Sequence, residues 1–162
     1  MTSKVLIVKG SPRERGNSAT LAAQVAAGAE AAGAEVESFY LHGMDIQACD
    51  ACDMCRDAAD TDCIIDDDMQ ILYPKLREAD ALVYASPIYW FTVTAQLKLF
   101  MDRCYALGSD NDGDQDHALA GKRIGVVLTY GGDDPFDSGA INAIRMFQAA
   151  FNYVPAEIAG MV

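Results

Sequence analysis

Four cysteines carry the most distinctive chemistry in this chain. Cys49, Cys52, Cys55 and Cys63 follow the spacing C-x2-C-x2-C-x7-C. Three thiolates spaced by two residues, with a fourth nearby, match iron–sulfur ligation. Four sulfurs at tetrahedral positions would also bind zinc. Reduced, unligated thiols and disulfides are the other readings. The fifth cysteine, Cys104, falls on an apolar helical stripe and reads as a packing residue. A second centre is the loop Gly10, Ser11, Pro12, Arg13, Glu14, Arg15, Gly16, Asn17, Ser18. It follows the apolar run Val5–Val8 and precedes a helix that opens near Thr20, with Asn17 or Ser18 as its expected cap. Strand, glycine- and hydroxyl-rich loop and helix N-terminus together make an anion site, because backbone N–H groups and the helix dipole point at the same place. Ser11, Asn17, Ser18 and Thr20 add donors, and Arg13 and Arg15 add charge. A phosphate fits there. The alternative is an ordinary turn with a good cap.

The loop is neither a Walker A nor a G-x-G-x-x-G fingerprint, which argues against a nucleoside triphosphatase and a standard dinucleotide fold. No Ser/His/Asp constellation competes. His42 and His117 are the only histidines, and both read as solvated or satisfied side chains.

Stepping outward to what must position these groups, strands and helices alternate. The first helix is expected to end near Ala32 with Gly33 as a left-handed stop. Glu35–Leu41 alternates loosely, like an edge strand. Ala81–Ala85 and Ile124–Leu128 are continuous apolar runs, hence central strands, and Glu157–Val162 is expected as a fifth. Val93–Leu107 places Leu97, Phe100, Met101 and Cys104 on one helical stripe, with Lys98 and Asp102 paired on another face. Ser138–Phe151 repeats this with Ile141, Ile144, Phe147 and Phe151. Asp110–Asp116 reads as a solvated loop; its acids suggest a calcium loop only superficially, because Leu119 occupies the place of the final ligand.

Such alternation predicts an α/β fold, a doubly wound five-stranded parallel sheet, with ligands beyond the carboxyl ends of the strands. Three loops should meet there: Gly10–Ser18, Ser86–Thr92 and Thr129–Asp133. The second holds Pro87, Ile88, Tyr89, Trp90 and Phe91, an apolar and π-rich wall suited to a flat redox ring. These aromatics would otherwise cap the core or an oligomer interface. The third contains Gly131 and Gly132, which let backbone approach a ligand closely.

The whole-chain properties are consistent with this. The 162 residues, 51% of them hydrophobic, suit one globular domain. A net charge of −12 repels nucleic acid and anionic membrane surfaces. Neither a signal sequence nor an apolar run of membrane-spanning length is present, so the cytoplasm is expected.

Gly10–Ser18 followed by Ser86-Pro-Ile-Tyr-Trp-Phe-Thr-Val-Thr-Ala-Gln-Leu-Lys-Leu-Phe-Met-Asp-Arg103 resembles the flavodoxin-like NAD(P)H-dependent FMN reductase group, over nearly the whole chain. The cysteine run, with Ile64–Met69 leading into a helix that carries acids in its first turn, is similar to the iron–sulfur flavoprotein branch. The resemblance implies sheet order 2-1-3-4-5, a single FMN-binding domain over residues 1–162 with a Cys-rich insert at about 45–68, and assembly as a homodimer or homotetramer. Ser11, Arg13, Asn17, Ser18 and Thr20 would hold the FMN phosphate. Pro87, Ile88, Tyr89, Trp90 and Phe91 would lie along the isoalloxazine, with Thr129, Gly131 and Gly132 on its other side. Cys49, Cys52, Cys55 and Cys63 would hold a 4Fe–4S cluster close to the FMN of another subunit. NAD(P)H is the implied donor, and a small molecule or a redox carrier protein the electron partner. Relatives usually continue into a further helix or tail beyond the last strand. A cluster-free FMN or quinone reductase is the alternative function, and a non-enzymatic zinc- or flavin-binding module the alternative of another class.

Overall fold

Five short strands form one parallel sheet in the order β2-β1-β3-β4-β5: β1 Lys4–Lys9, β2 Glu35–Tyr40, β3 Ala81–Pro87, β4 Arg123–Thr129 and β5 Glu157–Met161. The helices are α1 Asn17–Ala31, α2 Met54–Asp57, α3 Met69–Glu78, α4 Ala95–Arg103 and α5 Ala140–Tyr153. This is a computed structural model, and it describes residues 2–57, 62–108 and 117–162. The acidic segment Asp110–Asp116 lies outside the described residues. The sheet order is the one expected. Among the described residues no helix is long and apolar enough to cross a membrane.

Side-chain alternation along the strands builds two cores. Leu6, Val8, Leu82, Tyr84, Ile124, Val126 and Leu128 face one side, where Met69, Leu72, Tyr73 and Leu76 of α3, Leu97 and Phe100 of α4 and Phe147 and Phe151 of α5 cover them. Ile7, Val83, Ala85 and Val127 face the other, against Ala22 of α1. The first core is the larger because three helices contribute to it. The ring of Tyr84 sits 5.5 Å from the rings of both Phe147 and Phe151. Each fully buried residue of this size contributes roughly 1.5–3 kcal/mol by leaving water.

Several local expectations shift. Neither Asn17 nor Ser18 caps α1: the cap position is Gly16, and no side chain bonds the first turn. The stripe from Val93 to Leu107 is α-helical only from Ala95 to Arg103 and then tightens into a 3-10 turn, Cys104–Leu107. Leu97 and Phe100 are fully buried and Cys104 nearly so, while Met101 is half-buried. Lys98 does pair with Asp102. In α5, Ala143 rather than Ile141 takes the fully buried position ahead of Phe147. The acids before α3 precede its first turn rather than occupy it. Asp67 is drawn out of the helix because its Oδ1 accepts the Met69 N–H at 3.0 Å while its other bonds lie elsewhere.

Candidate functional site

The chain reverses its winding direction at β1, between β2 and β3, so the crevice of this sheet opens beyond the carboxyl ends of β1 and β3. The three predicted loops meet there and are hydrogen-bonded to one another. Gly10 N–H donates to Ala85 O at 2.8 Å, and Ile88 N–H donates to Thr129 O at 2.8 Å. Thr94 is wholly buried. Its hydroxyl donates to Gly10 O at 2.7 Å and accepts the Leu97 N–H at 3.3 Å, so one side chain caps α4 and ties the second loop to the first. Thr94 N–H donates in turn to Ser86 Oγ at 3.2 Å. Gly10 is required by this closeness: a Cβ there would stand 2.8 Å from Leu97 Cβ and 2.9 Å from Thr94 Oγ1.

In the first loop Ser11 and Ser18 are buried, at 3% and 2% exposure, and Ser11 Oγ accepts the Arg13 N–H at 3.0 Å. Tyr40, at the end of β2, braces the loop by donating its hydroxyl to Pro12 O at 2.7 Å. Because no side chain caps α1, its first-turn N–H groups are available to an acceptor from outside the helix. Arg13 and Asn17 lie at the exposed surface of the same loop. The Thr20 hydroxyl turns back onto the same loop, donating to Gly16 O at 3.1 Å.

The second loop is a two-residue hairpin turn. Tyr89 N–H donates to Thr92 O at 2.8 Å and Thr92 N–H to Tyr89 O at 3.3 Å, which leaves Trp90 and Phe91 at the corners with φ of 48° and 67°. Bulky residues avoid this region, which costs roughly 1–2 kcal/mol per residue. The strain is held from one side. Asn142 Nδ2 donates to Phe91 O at 3.0 Å. A Cβ on Gly139 would lie 2.5 Å from Phe91 Cα, so only glycine lets the turn seat against the start of α5. The aromatics do not cap this chain's own core: Trp90 is 92% exposed and Phe91 53%. In the third loop, a Cβ on Gly131 or Gly132 would meet nothing within 4 Å, so open space adjoins that backbone.

The cysteines belong to a different segment, an excursion between β2 and α3. Cys49 and Cys52 are exposed and Cys55 and Cys63 half-buried. Burial, then the neighbouring charges of Cys63 and Cys52, outweigh Arg56 and push the Cys55 thiol up. Ala51 and Asp53, the residues between the cysteines, have φ of 52° and 56°. Among the described residues no group of three or more His, Cys, Asp or Glu side chains is assembled as a metal site; the four thiols are gathered in one segment without being drawn to a point. A cavity of about 630 Å³ lies against the inner side of the segment, between Ala48, Cys49, Tyr105 and Phe151.

The remaining candidates are structural. Cys104 is buried, its thiol donates to Phe100 O, and burial pushes its pKa up to about 12. His117 Nδ1 accepts the Leu119 N–H at 3.1 Å and Nε2–H donates to Cys104 O at 3.1 Å, which fixes a neutral tautomer; burial holds its pKa below the usual value. His42 pairs with Gln96 at the surface. Thr94, Tyr40, Gly139 and Asn142 are the site residues that residue types alone did not single out. Only Thr94 carried a local signal, as a hydroxyl before a helix.

Known proteins resemble this chain in sequence and fold. The family model described as NADPH-dependent FMN reductase matches residues 3–159. An iron–sulfur flavoprotein of Methanosarcina thermophila is 34% identical over 129 residues, covering 80% of this chain and 63% of that protein. The chain thus spans less than two thirds of that relative. A putative NAD(P)H-dependent FMN-containing oxidoreductase of Bacillus subtilis is 29% identical, covering 98% of this chain and 83% of that one. Among solved structures, the NAD(P)H:quinone oxidoreductase of Methanothermobacter marburgensis superposes with a TM-score of 0.71 at 16% identity, over 100% of this chain and 83% of the other; this likeness concerns the fold.

Proposed function

The chain belongs to the NADPH-dependent FMN reductase family, and from that premise we propose that it is an FMN-dependent oxidoreductase fed by a nicotinamide donor. The observation that carries this reading is the rim: three interlocked loops, an uncapped helix end with buried serines, a strained aromatic turn facing solvent and a glycine pair bordering open space. Ser11, Arg13, Asn17 and Ser18, with the first N–H groups of α1, would hold the phosphate. Pro87 to Phe91 would lie along one side of the ring, with Thr129, Gly131 and Gly132 along the other. When bound, FMN would supply hydride- and electron-transfer chemistry. The protein's part is to hold the ring, exclude water from it and stabilise its reduced, anionic form with fixed backbone donors. No side-chain nucleophile or general base is required.

The second reading concerns the four cysteines, which we assign to a 4Fe–4S cluster. Their spacing supports it, as do the left-handed residues Ala51 and Asp53, since alternating backbone of this kind turns N–H groups toward anionic sulfur. The thiols gather without closing, which fits a site that assembles as metal binds. Such a cluster would relay single electrons to a small molecule or a carrier protein. We further place the working form as a homodimer or homotetramer, because a second copy would cover Trp90.

An absorption spectrum of anaerobically purified protein, with iron and zinc analysis, tests both readings. Flavin bands with a broad shoulder and bound iron support them together. Flavin bands alone leave the reductase and remove the cluster. A colourless protein that fails to take up added FMN refutes the first reading, and zinc on such a protein would favour a metal-binding module. Light scattering decides the assembly: a monomer at working concentration removes the oligomer.

A further inference from the structure

The cysteine excursion leaves and rejoins the fold through a neck. Asp68 N–H donates to Asp45 O at 2.9 Å, and Asp45 N–H to Asp68 Oδ2 at 2.8 Å. Gln47 N–H donates to Asp67 Oδ2 at 2.9 Å. Every cysteine of the run lies beyond this closure: Cys49 just after Gln47, and Cys63 just before Asp67. The neck has a charged centre. The Arg103 side chain, 1% exposed, pairs with that of Asp67, 0% exposed. Arg103 Nη1 also donates to Gln47 O at 2.9 Å, and Nη2 to Asp67 Oδ1 at 3.2 Å. One guanidinium at the end of α4 therefore bonds both flanks of the excursion. Beyond the neck, Gln70 Nε2 holds Cys63 O at 2.7 Å.

A buried ion pair is weak grounds for stability, because desolvation offsets its attraction, but it is a good device for fixing register. An apolar pair of the same volume would fill the space and leave the two flanks free to slide. Arg103 also carries an excess donor: its Nε is buried with no hydrogen-bond partner among the described residues.

We propose that Asp67 and Arg103 are the positioning residues of the four-cysteine site, closing the neck that sets Cys49, Cys52 and Cys55 against Cys63. This rests on the reading of the four cysteines as a metal site, but the closure itself can be tested without metal.

The test uses the full chain, purified anaerobically and freed of metal, as wild type, Asp67→Asn, Arg103→Lys and Arg103→Met. Alkylation by iodoacetamide is followed at each cysteine by mass spectrometry. Cys55 and Cys63 are expected to react about ten-fold faster in Asp67→Asn and Arg103→Met through local opening. Arg103→Lys should fall between, and Cys104 should stay protected throughout. Unchanged rates at Cys55 and Cys63 overturn the proposal. So does Cys104 reacting in step with them, since the pair would then merely hold the core. A second arm supplies ferrous iron and sulfide. Wild type that binds iron, with Asp67→Asn and Arg103→Met binding less than half as much at equal FMN content and Arg103→Lys restoring part of it, supports the pair and the metal site together. Equal iron in all variants overturns the pair's role. Wild type that binds no iron removes the metal reading alone, and the alkylation arm still decides the neck.

Discussion

The three-loop rim and the cysteine excursion are both irregular backbone, yet they are held in opposite ways. The rim is fastened along its length: Gly10 to Ala85, Thr94 to Gly10 and Ser86, Ile88 to Thr129, Phe91 to Asn142. It can therefore carry two aromatic residues at positive φ without relaxing. The excursion is fastened at its base and at a few points beyond, such as Cys63 and Ile65 to Gln70. Its cysteines reach no common point, and open volume adjoins Cys49. The difference separates a site that folding has already shaped from one whose ligand would finish it. A preformed site loses little entropy on binding, while a metal-closed loop couples binding to local folding.

Four measurements would break or sharpen this contrast, in descending order of effect. Gly139→Ala should be the most damaging. It forces a side chain onto Phe91 and occupies a φ of 80°, a cost of roughly 2–4 kcal/mol from strain and overpacking. Urea unfolding should show that loss and an FMN titration a large drop in affinity, while alkylation at Cys52 stays at the wild-type rate. A variant that binds FMN normally would show that the rim is not rigidly preformed. Thr94→Val should follow, at about 2–3 kcal/mol, because it deletes the α4 cap and strands the buried Gly10 carbonyl. Next, Asn142→Ala removes one exposed bond to the turn and should cost about 0.5–1 kcal/mol. Its clearest readout is the fluorescence of Trp90, the one tryptophan, which should report a looser environment.

The smallest effect belongs to the floor beneath the cysteines. Burial lowers the His117 pKa below 6.5, so folding favours the neutral ring. The group's stabilisation is full above 6.5 and is lost as pH falls through the lower folded value. Urea midpoints should decline from pH 7.5 toward 5.5 in wild type and decline less in His117→Gln. Equal slopes would show that His117 is not held neutral.

Much of the rim was legible before any coordinates. Val5–Val8, Ala81–Ala85 and Ile124–Leu128 are apolar runs too short for free helices, and their following loops are marked by Gly, Ser, Pro and aromatic residues. What escaped was the fastening. Asn142 and Gly139 are unremarkable in a helical pattern, and only the approach of α5 to Phe91 gives them a task. The cap of α1 was misassigned for a related reason: Asn17 and Ser18 are good capping types, but the helix begins at Asn17 with Gly16 in the cap position, and its first turn is left for another acceptor. In the sequence Asp67 was only one of the acids leading into a helix and Arg103 only the end of the aromatic-loop motif; the fold brings them together across 36 positions.

The sequence by itself determined the strand order's raw material, the loop chemistry and the thiol spacing, because these rest on local pattern and on which atoms each residue carries. The tertiary structure alone decided which distant groups meet: a threonine against a glycine carbonyl, a glycine under an aromatic corner, a buried arginine across the neck of a loop. Hydrogen bonds and close packing act over a few ångströms of space, and no local periodicity records which remote residue will arrive there.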